Sequence, residues 1–111
     1  RQDLAPRRMG TVDFPGDSLA VDREGMAAVT RTGTAAAAFR GFPLDSYGVS
    51  GKTGTAEIFG KEATSWFASY GPRTASGKQY VVVAMITESG TGATYAAPAA
   101  RQVWDVLRTR D

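Results

Sequence analysis

Apolar positions recur with helical spacing near the end of the chain and with no sustained spacing at its start. Ala100, Val103, Trp104 and Leu107 fall at i, i+3, i+4 and i+7, which is one face of an α-helix. Pro98 suits the first turn of that helix, where a backbone N–H is not needed. Arg101 and Asp105 stand four apart on the opposite face. Earlier in the chain, Met26 and Val29 are three apart and Asp22 can cap free amides, so a helix is expected to begin near Asp22. Residues 1–20 are punctuated by Pro6, Gly10, Pro15 and Gly16 and read as an irregular connecting segment. Thr32-Gly33-Thr34 reads as a break. Ala35 to Phe39 reads as a second short helical piece, ended by Gly41 and Pro43.

The middle of the chain changes period. Tyr47 to Ile58 is rich in small and β-tolerant residues, and Ser65 to Tyr70 alternates polar and aromatic. Gly71-Pro72 and Ser76-Gly77-Lys78 mark a turn. Gln79 to Thr87 then carries Tyr-Val-Val-Val-Ala-Met-Ile, apolar on both faces, which predicts a central strand covered on both sides. Gly90-Thr91-Gly92 closes it. The reading is three strands in an antiparallel meander between helical segments, an α/β (α+β) arrangement with the C-terminal helix on the sheet.

Composition narrows the chemistry. The 111 residues fit one small domain or part of a larger one. Hydrophobic residues at 42% and charged residues at 22% argue against disorder. A net charge of +2, with arginines mostly at the two ends, gives no nucleic-acid surface, and no nucleic-acid partner is expected. The chain has no His, no Cys and no Asn, so a Ser-His-Asp triad, a thiol nucleophile and His or Cys metal sites are excluded. Any mechanism must run on Ser, Thr, Lys, carboxylates or backbone amides. The longest strongly apolar run, Tyr80 to Ile86, falls far short of the roughly 20 residues of a membrane-spanning helix.

The informative string is Val49-Ser50-Gly51-Lys52-Thr53-Gly54-Thr55-Ala56-Glu57. As a phosphate loop it lacks the glycine five positions before Gly51, where Ser46 stands, and Thr53-Gly54-Thr55 is a poor helix start. As a strand it places Thr53 and Thr55 on one face. Two hydroxyls and a nearby ammonium make a site for a carboxylate, Gly54 lets a peptide backbone approach, and an edge strand offers free N–H and C=O groups to an extended peptide. One such N–H can stabilise the oxyanion of a tetrahedral intermediate. A plain solvent-facing edge strand is the competing reading of so short a triplet.

Longer context carries a resemblance. Gly25-Met26, Gly33-Thr34-Ala35, Ser50 to Glu57, Ser65 to Pro72, Val82 to Glu88 and Ala96-Ala97-Pro98 stand in the order seen in the transpeptidase domain of penicillin-binding proteins. Over roughly Arg23 to Leu107 the chain resembles the C-terminal part of that domain, most like class B, type 2. The resemblance implies a partial penicillin-binding transpeptidase or serine β-lactamase-like fold, with residues 21–111 as the C-terminal portion.

It further implies roles. Lys52 would position the substrate carboxylate and tune the hydroxyls, Thr53 and Thr55 would bind that carboxylate, and the Thr55 N–H would be half of the oxyanion hole. Gly54 would admit the acyl group. Trp66 is a substrate-binding candidate, balanced against a core role, while Phe67 and Trp104 read as core. The family usually has His-Ala before its Trp-Phe pair, and this chain has Thr64-Ser65. No serine here has Lys three positions on, and Ser-x-Asn is impossible without Asn. Both motifs are expected upstream of Arg1, in the remainder of the same domain.

The implied activity is peptidoglycan D,D-transpeptidation through a serine acyl-enzyme, with no metal or organic cofactor implied. Stem peptides and β-lactam antibiotics would be its ligands, and proteins of cell-wall elongation or division its partners. The implied location is the extracytoplasmic face of the bacterial membrane, with an N-terminal anchor outside this chain. A D,D-carboxypeptidase, a β-lactamase-type hydrolase and a non-catalytic β-lactam or wall-peptide sensor are the alternatives. Glu57 and Glu88 read as solvated charges rather than a glycosidase pair, and Arg7-Arg8 as a solvated pair.

Overall fold

The computed structural model describes residues 2–110. The elements run α1 (Ser18–Arg31), β1 (Ser50–Ala56), β2 (Thr64–Tyr70), β3 (Val81–Ile86) and α2 (Ala96–Leu107). The strands form an antiparallel meander in the order β1-β2-β3.

Helix α1 starts at Ser18 rather than near Asp22. Gly16 turns the chain with φ +58°, and the Ser18 hydroxyl and amide both donate to the Pro15 carbonyl. Leu19 and Val21 in the first turn are exposed, so the start shows no burial period to read. The break after α1 is as expected. Thr32 and Gly33 amides both donate to the Ala28 carbonyl and end the helix.

The expected helical piece at Ala35 to Phe39 is instead a run of turns. Its bonds are mixed: Ala36 N–H to Gly33 O and Arg40 N–H to Ala37 O are one residue short of α-helical spacing, and Phe39 N–H to Ala35 O alone has it. The alanines there supply little to bury, and the path is set by Ala35, Phe39 and Phe42, which enter the core. Arg101 of α2 clamps this run, donating to Ala38 O and Arg40 O and lying over the Phe42 ring at 5.1 Å.

Strand β2 is central, and β3, expected to be central, is an edge. Its residues Val82, Ala84 and Ile86 are half-buried on the side of α2, whereas Val81, Val83 and Met85 are exposed. Both faces are apolar, but these residues provide a cover for only one of them. Helix α2 covers the β2 face formed by Ser65, Phe67 and Ser69. Its buried stripe is Ala96, Ala97, Ala100 and Trp104, and Val103, expected in that stripe, is exposed. Stacking of i, i+4 and i+8 over a twisted sheet selects small alanines for the close approach and leaves Val103 outside.

Trp104 and Phe67 are fully buried, as expected. Each aromatic of this kind contributes about 1.5–3 kcal/mol through burial. The Trp104 indole N–H also donates to Ser69 Oγ at 2.9 Å, so its polar handle is satisfied. The Arg101–Asp105 pair forms at 3.0 Å.

Candidate functional site

The site is built on β1. Gly51, Thr53 and Thr55 stand opposite Ser69, Phe67 and Ser65, so they share the α2 face of the sheet. Lys52 and Gly54 stand opposite Ala68 and Trp66, on the other face. Gly51 is required by packing: a Cβ there would lie 2.7 Å from the Phe67 ring and 2.8 Å from Ala68 O. This close approach lets β1 lie flat on the core aromatic.

The direction of the β1 backbone groups follows from one hydrogen bond. Gly71 N–H donates to Tyr80 O, which extends the β2–β3 ladder and fixes its phase. Alternation then turns the odd-numbered residues of β2 toward β3 and the even-numbered ones toward β1. The even residues of β1, Lys52 and Gly54, therefore pair with β2. Gly51, Thr53 and Thr55 present their N–H and C=O to the side where, among the described residues, no strand lies. Two side-chain donors agree with this phase. Thr30 Oγ1 of α1 donates to Val49 O at 2.7 Å, and Lys52 Nζ donates to Thr53 O at 2.7 Å. Both acceptors are odd-numbered.

The expected pair of hydroxyls is thus on one face and the ammonium on the other, with the open backbone edge between them. Lys52 is exposed and borders a groove with Val21, Asp22, Gly25, Met26 and Val29 of α1. Thr53 is half-buried, and its Oγ1 lies 2.7 Å from Thr34 Oγ1. Thr55 is exposed. Trp66 is 38% exposed on the face of Lys52 and Gly54, away from the two threonine side chains. Gly92 packs on the β1–β2 backbone at the Gly54–Trp66 pair, so closely that a side chain at 92 would clash with both carbonyls. This loop lies over the β1–β2 seam on the α2 side.

Ser65 explains where the chain departs from His-Ala. It is fully buried, donates to Thr91 O at 2.8 Å and accepts the Ala96 N–H at 2.9 Å. Tyr95, the residue capping α2, makes no side-chain cap bond, so Ser65 satisfies a first-turn amide of α2 from across the sheet. A serine with its oxygen engaged in this way is a brace rather than a nucleophile.

The structure agrees with setting the phosphate-loop reading aside, because residues 51–53 lie within β1 and the next element is β2. Glu57 lies exposed beyond β1, and Glu88 is exposed and paired with Lys61 at 3.8 Å, as solvated charges would be. Sequence reasoning missed Thr34 and Ser65. Thr34 read as part of a break and of a block shared with the family, with no role of its own, and its partner lies 19 positions away. Ser65 had one signal, the polar residue at an otherwise inward-facing strand position.

The family comparison matches the penicillin binding protein transpeptidase domain over residues 6–105. The chain belongs to that family. The match begins at residue 6, ahead of α1, and ends within α2. Membership brings the general activity of the family, penicillin-sensitive acyl transfer, and its ligands, peptidoglycan peptides and β-lactams. Comparisons with curated proteins and with solved structures found no match. In transpeptidase terms, the candidate site is an exposed strand edge with hydroxyls on one flank and an ammonium on the other.

Proposed function

We propose that these residues are the C-terminal part of a class B, type 2-like D,D-transpeptidase domain that cross-links peptidoglycan on the extracytoplasmic side of the membrane. The observation that carries this reading is the open edge of β1, with the backbone groups of Thr53 and Thr55 facing outward. A peptide ending in D-Ala-D-Ala adds to that edge as an extended strand. Its terminal carboxylate is held by the Thr53 and Thr55 hydroxyls, within the positive field of Lys52. Gly54 keeps the edge low enough for the acyl group, and Trp66 borders the Lys52 face.

A serine in the remainder of the domain attacks the carbonyl of the penultimate D-Ala. The Thr55 N–H donates to the developing oxyanion. The C–N bond breaks, the terminal D-Ala leaves with a proton on its amine, and a serine ester forms. An amine of a neighbouring stem peptide then attacks the ester carbonyl, forms the cross-link amide and returns the proton to the serine oxygen. A β-lactam enters as the donor does, and ring opening leaves its amine attached, so the acyl state persists.

The bare apolar face of Trp66, Val81, Val83 and Met85 supports the placement within a larger domain. That face and the free edge of β3 are the surfaces the rest of the domain would cover. The test is labelling of the intact protein with fluorescent penicillin, followed by peptide mapping. The reading expects an adduct on a serine outside residues 1–111, and transfer of the acyl group from a donor peptide to an added amine. Transfer to water alone would favour a carboxypeptidase or β-lactamase-type hydrolase. No adduct at all would favour a sensor that has lost the nucleophile.

A further inference from the structure

We propose that Thr34 is a positioning residue for the Thr53 hydroxyl, and that it fixes the direction in which Thr53 donates. This deepens the transpeptidase reading and rests on it. The two hydroxyl oxygens lie 2.7 Å apart, a full hydrogen bond between residues 19 positions apart in sequence. Each hydroxyl has one proton and two lone pairs. An ionised carboxylate only accepts. When a carboxylate occupies the β1 edge, Thr53 must spend its proton on it. The Thr34–Thr53 bond then survives only if Thr34 is the donor. The chain Thr34 to Thr53 to carboxylate is the one arrangement that satisfies all three groups. Polarisation along such a chain makes Thr53 a stronger donor than a lone hydroxyl.

Thr34 is held for this task by the backbone on both sides. Gly33 N–H donates to Ala28 O at 2.9 Å and Ala35 N–H to Val29 O at 3.0 Å, while the Ala35 side chain is fully buried. The hydroxyl itself stays at the surface. The segment that follows α1 is thereby tied to the carboxylate-binding edge by Thr34, beside the bond from Thr30 Oγ1 to Val49 O.

The experiment measures acylation rate constants of the intact protein with benzylpenicillin and with its methyl ester, which lacks the ionised carboxylate. Thr34→Val is expected to slow acylation by the free acid by about three- to tenfold, the worth of one net hydrogen bond. The ester rate should stay unchanged. Thr34→Ser should restore the free-acid rate, and Thr34→Val should have no further effect in a Thr53→Val background. Equal slowing of acid and ester, or an unchanged free-acid rate in Thr34→Val, would overturn the proposal while leaving the transpeptidase reading intact. A wild-type protein that no penicillin acylates would instead overturn the transpeptidase reading, and this inference with it.

Discussion

Proline at Thr55 removes one backbone N–H and leaves the strand ladder whole. The phase of the sheet turns the Thr55 N–H toward the open side and the Gly54 N–H toward Trp66. Proline is tolerated in edge strands where its missing donor would face outward. At Thr55 the folding cost is therefore confined to the restricted φ. At Gly54 the same substitution deletes a ladder bond and leaves the Trp66 carbonyl unmet, at about 1–3 kcal/mol. Its ring also meets Gly92, which already packs on the Gly54 nitrogen. Gly54→Pro should thus lower the thermal midpoint of the intact protein more than Thr55→Pro.

Activity should fall differently. Losing one oxyanion-hole donor costs about 2.7–4 kcal/mol in the transition state, or roughly 100- to 1000-fold in rate. Thr55→Val keeps the N–H and removes only the hydroxyl, so it isolates the backbone contribution. Stopped-flow acylation by a fluorescent penicillin should show Thr55→Pro at least roughly 100-fold slower than Thr55→Val. Equal rates for the two variants would remove the Thr55 N–H from the mechanism. A larger stability loss at Thr55 than at Gly54 would show that the phase of β1 is the opposite of the one derived.

Other perturbations separate site from scaffold. Lys52→Ala should slow acylation of the intact protein by about 10- to 100-fold, the range of a hydrogen bond to a charged group, with the thermal midpoint almost unmoved because Lys52 is exposed; an unchanged rate would remove the role assigned to the ammonium. Ser65→Ala strands the Ala96 N–H and the Thr91 carbonyl, so it should destabilise by about 1–3 kcal/mol in denaturant titration, while the folded fraction acylates normally. Gly51→Ala forces a methyl group into the Phe67 ring and the Ala68 carbonyl and should cost about 1–3 kcal/mol; a neutral result would mean β1 does not lie flat on that ring.

The Lys-Thr-Gly segment was legible as a strand from its residues in order, because glycine and threonine at fixed places define both a face and a close approach. The meander was legible from turn residues between β-rich runs. The rest depends on burial and contacts that no local pattern encodes. A Val-Val-Val-Ala-Met-Ile run predicts cover on both faces, and β3 shows cover on one. The alanines after the break have helical propensity, but aromatic anchors at Phe39 and Phe42 decide the path of that segment. The first turn of α1 rests on Ser18 and Pro15 rather than on apolar spacing, and Val103 yields to alanine at the sheet. The Thr34–Thr53 and Ser65–Ala96 bonds join residues distant in sequence, so no local pattern announces them.

The most direct measurement is a crystal structure of the intact protein acylated by a penicillin. The adduct should sit on a serine outside these residues, with its ester carbonyl oxygen about 2.7–3.1 Å from the Thr55 nitrogen and its carboxylate on the Thr53 and Thr55 hydroxyls. An adduct on a serine of this chain, or a neighbouring strand zipped along the outer edge of β1, would contradict the account.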